Sequence, residues 1–174
     1  MRCSVHNFNL KHMVKNILLV RHAQAEFPMV DKKDFERHLT TYGEKQATLL
    51  GMHINNLGLQ FDAIYHSPAY RTVETAGFIK SQLNYHLRLM DAEELYEATI
   101  NLMKAFVNRI DPSLNNVIIV AHNPTIAELY AHYTLDMKDF SPATSTLLSF
   151  DTEDWTMISG NMAVEVDYYY PGMR

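Results

Sequence analysis

Two histidines and two arginines occupy positions in this sequence that suit chemistry. Arg21 and His22 end the apolar run Ile17-Leu18-Leu19-Val20, and His122 and Asn123 end a second run, Val117-Ile118-Ile119-Val120-Ala121. A third segment, Asp62-Ala63-Ile64-Tyr65-His66, leads into Ser67-Pro68 and, about a helical turn later, Arg71. A guanidinium presents a planar fork of donors suited to carboxylate or phosphate, while an imidazole can serve as nucleophile, base or metal ligand. Arginine beside histidine favours phosphate chemistry, because a fixed positive charge repels a metal cation. The chain also lacks a His-Glu-x-x-His spacing and a cysteine pair, so nothing in the spacing points to zinc. Taken alone, one Arg-His pair at a strand end is better explained as a surface pair. Comparable groups at three strand ends are harder to dismiss. Gathered around one crevice, they would enclose a tetrahedral dianion: one imidazole attacks phosphorus in line, the other donates to equatorial oxygens, and the arginines stabilise the charge of the transition state. The product of that attack is a phosphohistidine.

Such residues need rigid elements to place them. Apolar runs with no polar alternation read as central strands covered on both faces, and in open α/β sheets ligands bind just beyond the carboxyl ends of the strands. Between the strands, Thr41-Tyr42-Gly43-Glu44 has capping-box spacing, and Ala47, Leu50, Met52, Ile54 and Leu57 continue it as a helix from about Tyr42 to Asn56. Ser67 as cap and Pro68 at the first helical position predict a second helix to Gln82. A short strand at His86 to Met90, a helix from Ala98 to Ile110, and a helix opened by Asn123-Pro124 and ending near Asp136 follow. Ser145 to Phe150 and Asn161 to Tyr168 read as two final strands, with an antiparallel pairing open to them. Alternating strands and helices give an α/β fold with helices on both faces of a mostly parallel central sheet. Gln24 to Leu39, with Pro28 and a charge cluster from Asp31 to His38, reads as a surface loop near the site.

Composition narrows the functional classes. A chain of 174 residues with 47% hydrophobic and 20% charged residues is one globular domain, and no apolar run is long enough to span a bilayer. The net charge of −5 argues against nucleic-acid binding, so Trp155 and Tyr168-Tyr169-Tyr170 read as cover for core or surface. Cys3 is the only cysteine, which excludes an intramolecular disulfide and fits a cytoplasmic protein. Residues 1–12 hold no apolar core of signal-peptide length and are expected to be a poorly ordered extension, with Met13 a possible initiator and 13–174 a single domain. His6, His12, His38, His53, His86 and His132 fall on tails, loops or helix faces; for His66, packing and function both stay open.

Several stretches together resemble a known family. Leu19-Val20-Arg21-His22-Ala23, Leu39-Thr40-Thr41-Tyr42-Gly43, Ser67-Pro68-Ala69-Tyr70-Arg71-Thr72-Val73-Glu74-Thr75, Glu94-Leu95-Tyr96 and Val120-Ala121-His122-Asn123-Pro124 resemble, in order from about Val14 to Leu148, the histidine phosphatase superfamily and its small SixA-type phosphohistidine phosphatases. The resemblance implies a phosphoglycerate-mutase-like three-layer α/β sandwich. It also implies His22 as phosphoryl acceptor, Arg21 and Arg71 as ligands of the phosphoryl oxygens, and His122, with Asn123 beside it, completing the substrate pocket. No metal or organic cofactor is implied. Two departures matter. Ala23 stands where many members have glycine, which matches the SixA-type branch. The general acid of mutases and many ester phosphatases has Glu94 as its nearest match, with Glu97 second, and either is equally a solvated loop residue. Ester cleavage needs its alkoxide protonated, whereas imidazole leaves more readily, so an ambiguous acid weakens the ester reading more than the phosphohistidine reading. The expected substrate is therefore phosphohistidine on a protein of a phosphorelay. The alternatives are small phosphate monoesters, or a catalytically weak phosphohistidine-binding module. The oligomeric state is not readable from the sequence.

Overall fold

Branched apolar residues in unbroken runs pack well only where both faces of a pleated sheet are covered. The computed structural model, which describes residues 14–30 and 33–172, places them in that way. The strands are β1 (Lys15–Arg21), β2 (Ala63–His66), β3 (Arg88–Asp91), β4 (Asn116–Ala121), β5 (Ser145–Phe150) and β6 (Ala163–Tyr169). The helices are α1 (Thr41–Asn56), α2 (Tyr70–Gln82), α3 (Ile100–Asn108) and α4 (Thr125–Thr134). One six-stranded sheet runs in the order β3-β2-β4-β1-β5-β6. Its first four strands are parallel; β5 pairs antiparallel with β1 and β6 antiparallel with β5. The expectation for residues 1–12 lies outside the described residues.

Successive residues of β1 feed opposite layers, as the period of two requires. Leu18 and Val20 join Ala47, Leu50 and Ile54 of α1 and Ala76 and Ile79 of α2, whereas Ile17 and Leu19 join Met103, Phe106 and Val107 of α3 and Ile126, Leu129 and Tyr133 of α4. Ile17 to Val20 are fully buried, and each such side chain contributes about 1.5–3 kcal/mol on burial. The result is the expected three-layer sandwich, with α1 and α2 on one face and α3 and α4 on the other. Among the described residues no helix is long and apolar enough to cross a membrane.

Local details differ from the sequence expectations for physical reasons. The cap of α1 is Thr40, not Thr41: its extended backbone lets the hydroxyl accept from the Gly43 amide at 3.0 Å. Pro68 does not open α2, which starts at Tyr70 after Ala69, a residue with no capping side chain. Ser67, expected as that cap, is engaged elsewhere. The strand β3 begins at Arg88, and α3 is shorter than expected because Thr99 caps it, accepting from the Leu102 amide at 3.3 Å. In α4, Pro124 is itself the cap position and Asn123 turns away from the helix.

Gly43 lets α1 approach the loop after β1. A Cβ there would stand 2.0 Å from the Gln24 carbonyl oxygen, closer than any side chain tolerates. The loop is pinned at the same place, with the Gln24 amide donating to Gln46 Oε1 at 3.0 Å and the Thr40 amide donating to the Gln24 carbonyl at 3.0 Å.

Candidate active site

Strand register brings the reactive groups together. Arg21 of β1 lies opposite Ala121 of β4, and His66 of β2 opposite Val120, so the carboxyl ends of these three neighbouring strands are nearly level. His22, Ser67 and His122 are the residues that immediately follow them. Arg71 enters from the first turn of α2. The result is a pocket of ≈ 430 Å³ whose lining includes Arg21, His22, Asp34, Arg37, Arg71, His122 and Asn123.

The hydrogen bonds of His22 fix its tautomer. Its Nδ1 lies 2.7 Å from the Ala23 carbonyl oxygen. A carbonyl only accepts, so Nδ1 carries the proton and Nε2 keeps its lone pair. His22 is 8% exposed, and burial pushes its pKa down to about 3. The Ala23 hydrogen bond opposes that shift, whereas His122, Arg71 and Arg21 add to it. His22 is therefore a neutral imidazole at any ordinary pH, with a nucleophilic nitrogen on the ring edge away from Ala23.

His122 is fixed in the opposite sense. Arg71 Nη2 approaches its Nδ1 at 3.4 Å, and because guanidinium only donates, Nδ1 holds the lone pair. Its Nε2 then carries the proton and donates to Ser67 Oγ at 2.9 Å. Burial, with the charge of Arg71 next in size, pushes the pKa of His122 down to about 4. The two imidazole rings stand 5.3 Å apart, centroid to centroid.

The arginines are held but not saturated. Arg21 Nη1 donates to the Phe140 carbonyl at 2.6 Å, and the Nε atoms of both Arg21 and Arg71 are buried with no hydrogen-bond partner among the described residues. Buried donors without partners are uncommon and costly, about 1–3 kcal/mol each, and those in the lining of a pocket equip it to bind an anion. Arg71, 4% exposed, also donates through Nη1 to the Asp34 carbonyl at 2.6 Å and through Nη2 to Asp34 Oδ2 at 2.9 Å. Asn123 lines the pocket with Nδ2 donating to the Phe140 carbonyl at 2.9 Å and its Oδ1 buried without a partner.

Of the residues singled out in the sequence, Arg21, His22, Arg71, His122 and Asn123 are brought together here, and Glu94 is not. Glu94 accepts from Arg109 Nη2 at 3.0 Å on the surface, and neither it nor Glu97 lines the pocket, whose carboxylates are Glu26 and Asp34. The sequence reading missed Ser67, Asp34, Arg37 and Tyr96. Ser67 read as a helix cap. Asp34 and Arg37 sat in a charge cluster, which was their only signal. Tyr96 packs edge-on to His122 at 5.9 Å and its hydroxyl donates to Asp34 Oδ2 at 3.3 Å. His66, left open between packing and function, is buried, with Nδ1 on the Ser67 carbonyl at 3.1 Å. Among the described residues no group of three or more His, Cys, Asp or Glu side chains forms that could hold a metal ion.

Residues 17–103 match the family model for the histidine phosphatase superfamily, branch 1. A phosphohistidine phosphatase SixA homolog of Haemophilus influenzae is 31% identical over 152 residues, covering 78% of this chain and 88% of that protein. The chain belongs to the histidine phosphatase superfamily. It is accordingly a hydrolase of the histidine phosphatase type. Solved structures share the fold. A protein of Nakamurella multipartitia assigned as phosphohistidine phosphatase SixA superposes with a TM-score of 0.78 at 22% identity over 92% of this chain and 98% of that one. The protein histidine phosphatase SixA complexed with tungstate gives 0.75 at 17% identity over 90% and 97%. The match to the superfamily model ends before His122. It is the fold that carries this histidine to within one ring's width of His22.

Proposed function

We propose that this histidine phosphatase removes the phosphoryl group from phosphohistidine on a protein, through a phosphoenzyme intermediate on His22. The observation that carries the reading is the neutral, tautomerically fixed His22 beside two arginines whose buried Nε donors have no partner among the described residues. In the first step the Nε2 lone pair of His22 forms a bond to phosphorus while the bond from phosphorus to the substrate imidazole breaks, its electron pair staying on that ring. Arg21 and Arg71 bind the oxygens, whose charge is greatest in the transition state, and His122 joins them by turning its Nε2–H from Ser67 Oγ to an oxygen. The phosphorylated His22 ring is cationic with Nδ1 still protonated, and its bond to the Ala23 carbonyl then strengthens. Water next attacks phosphorus, releasing dihydrogen phosphate and returning neutral His22. No proton needs to leave Nδ1 at either step.

Phosphohistidine is favoured over small esters because the expected ester acid, Glu94, is occupied by Arg109 away from the pocket. The SixA relative at 31% identity and a SixA of the same fold holding tungstate, a tetrahedral oxyanion, support the same choice. With one cysteine in the chain, a cytoplasmic site of action fits best. The test is a rapid quench with labelled phosphohistidine protein under alkaline conditions, which preserve N-phosphoryl bonds. Label should map to His22 and vanish in His22→Asn. Label on serine, or on His122 alone, would overturn the nucleophile, and stoichiometric binding without turnover would identify a binding module instead.

A further inference from the structure

We propose that Asp34 determines specificity for an imidazole leaving group, by accepting a hydrogen bond from the ring N–H of the substrate histidine that remains free when the other nitrogen is phosphorylated. This rests on the reading of His22 as phosphoryl acceptor. An in-line displacement puts the leaving group opposite the nucleophile. His22 is nearly buried at the floor of the pocket, and Asp34 lines the same pocket with its side chain 51% exposed, so Asp34 stands on the side from which the substrate ring enters and leaves.

The chemistry of transfer between two imidazoles is symmetric. If the substrate ring is protonated on its free nitrogen, breaking its bond to phosphorus yields neutral imidazole with no proton transfer, as when the same bond breaks on His22. The protein supplies an acceptor for the free N–H of His22 in the Ala23 carbonyl. An equivalent acceptor for the substrate ring keeps it protonated and hence a good leaving group. Asp34 is the carboxylate placed for it, held rigidly by Arg37 Nε at 2.9 Å and Arg71 Nη2 at 2.9 Å. Its longest contact is the Tyr96 hydroxyl at 3.3 Å on Oδ2, the position a substrate N–H would take over.

The ionisation of Asp34 fits an acceptor and not a proton donor. Burial raises its pKa, but hydrogen bonding to Arg37 and the charges of Arg71 and Arg37 outweigh that and hold it below the usual carboxylate value. An ionised carboxylate has no proton to give an alkoxide, but accepts readily from a protonated imidazole. The same residue thus favours phosphohistidine and offers nothing to an alkyl or aryl ester.

The experiment compares kcat/KM of wild type, Asp34→Asn and Asp34→Glu on a phosphohistidine peptide and on p-nitrophenyl phosphate, whose leaving group needs no proton. Asp34→Asn should lower the phosphohistidine value at least about tenfold more than the aryl-ester value, the size of one charge-assisted hydrogen bond, and Asp34→Glu should keep the wild-type ratio. An equal loss on both substrates would reduce Asp34 to a support for Arg71 and overturn the proposal, as would an unchanged ratio. Trapping on wild-type His22 is run alongside. Absence of that label would bring down the underlying reading, whereas a labelled His22 with an unchanged ratio would bring down the role of Asp34 alone.

Discussion

Strand β1 carries a cation at each end, and the two are treated oppositely. Lys15, at the amino end, is fully buried, and its three ammonium donors meet the carbonyls of Pro112 and Leu114 at 2.9 and 2.8 Å and Asn115 Oδ1 at 2.8 Å. The Trp155 ring covers it at 5.2 Å. Arg21, at the carboxyl end, donates from Nη1 to Phe140 and leaves a buried Nε without a partner. Arg71 shows the same incompleteness. Both ends carry a desolvation cost, but only one is offset within the fold. A saturated buried cation ties elements together, whereas an unsaturated pair in the lining of a pocket is equipped for an anion from outside.

The sharpest way to break this comparison is to remove one cation from each end. Arg71→Ala should lower turnover about a hundredfold or more, as loss of a preorganised transition-state donor does. Arg71→Lys should recover only part, since it restores charge without the planar fork. Steady-state kinetics on phosphohistidine peptide measure both, and near-normal activity in Arg71→Ala would place the arginine outside the chemistry. Lys15→Met should do the reverse. It strips the Pro112 and Leu114 carbonyls of their partner and should cost about 2–4 kcal/mol in urea unfolding, with kcat unchanged in the folded protein. A variant of normal stability and lost activity would invert the assignment of the two ends.

The contrast also marks how far the sequence could be read. The strands of the parallel region and the helices were legible because unbroken apolar runs and helical periodicity are local signals. His22, Arg21 and His122 were legible because a strand end places whatever follows it. Arg71 followed from the short distance between β2 and α2. Asp34 and Ser67 were not legible. Asp34 has a local partner in Arg37, but the one that ties it to the pocket, Arg71, lies 37 residues away, and that of Ser67 lies 55 away at His122, so no local pattern encodes either of those long-range pairs. Ser67 was also ambiguous by chemistry, since serine before proline is a good helix start whether or not its hydroxyl is needed elsewhere. Glu94 is the opposite case: a motif match offers a role, and the structure places the side chain against Arg109.

A smaller effect follows from the pocket's neutral histidines. The folded pKa values, about 3 for His22 and about 4 for His122, lie below the unfolded value near 6.5. Between these limits the unfolded chain binds more protons than the folded one, so stability falls as pH drops below about 6.5, and above it these two groups contribute no slope. Each can add up to about 1.4 kcal/mol per pH unit. Urea midpoints measured from pH 7 to pH 4.5 should therefore fall less steeply in His22→Asn than in wild type. Parallel slopes would mean that His22 is already charged in the folded protein, and the neutral nucleophile would be lost with it.

The smallest expected effect concerns Glu94, and its smallness is the point. Its partner Arg109 has a side chain 63% exposed and its own is 39% exposed, so their contact at 3.0 Å is a solvent-screened surface pair. Such pairs contribute about 0–1 kcal/mol. Neither group lines the pocket. Glu94→Gln should therefore change kcat and KM by less than about twofold on phosphohistidine and on alkyl phosphates alike, because a proton donor acts in the transition state only if it reaches the leaving group. Glu97→Gln serves as the neighbouring control. A large loss confined to alkyl phosphates would show that Glu94 swings from Arg109 into the pocket when substrate binds. That result would restore ester hydrolysis as a competing activity and would make the pair with Arg109 a resting contact of the acid.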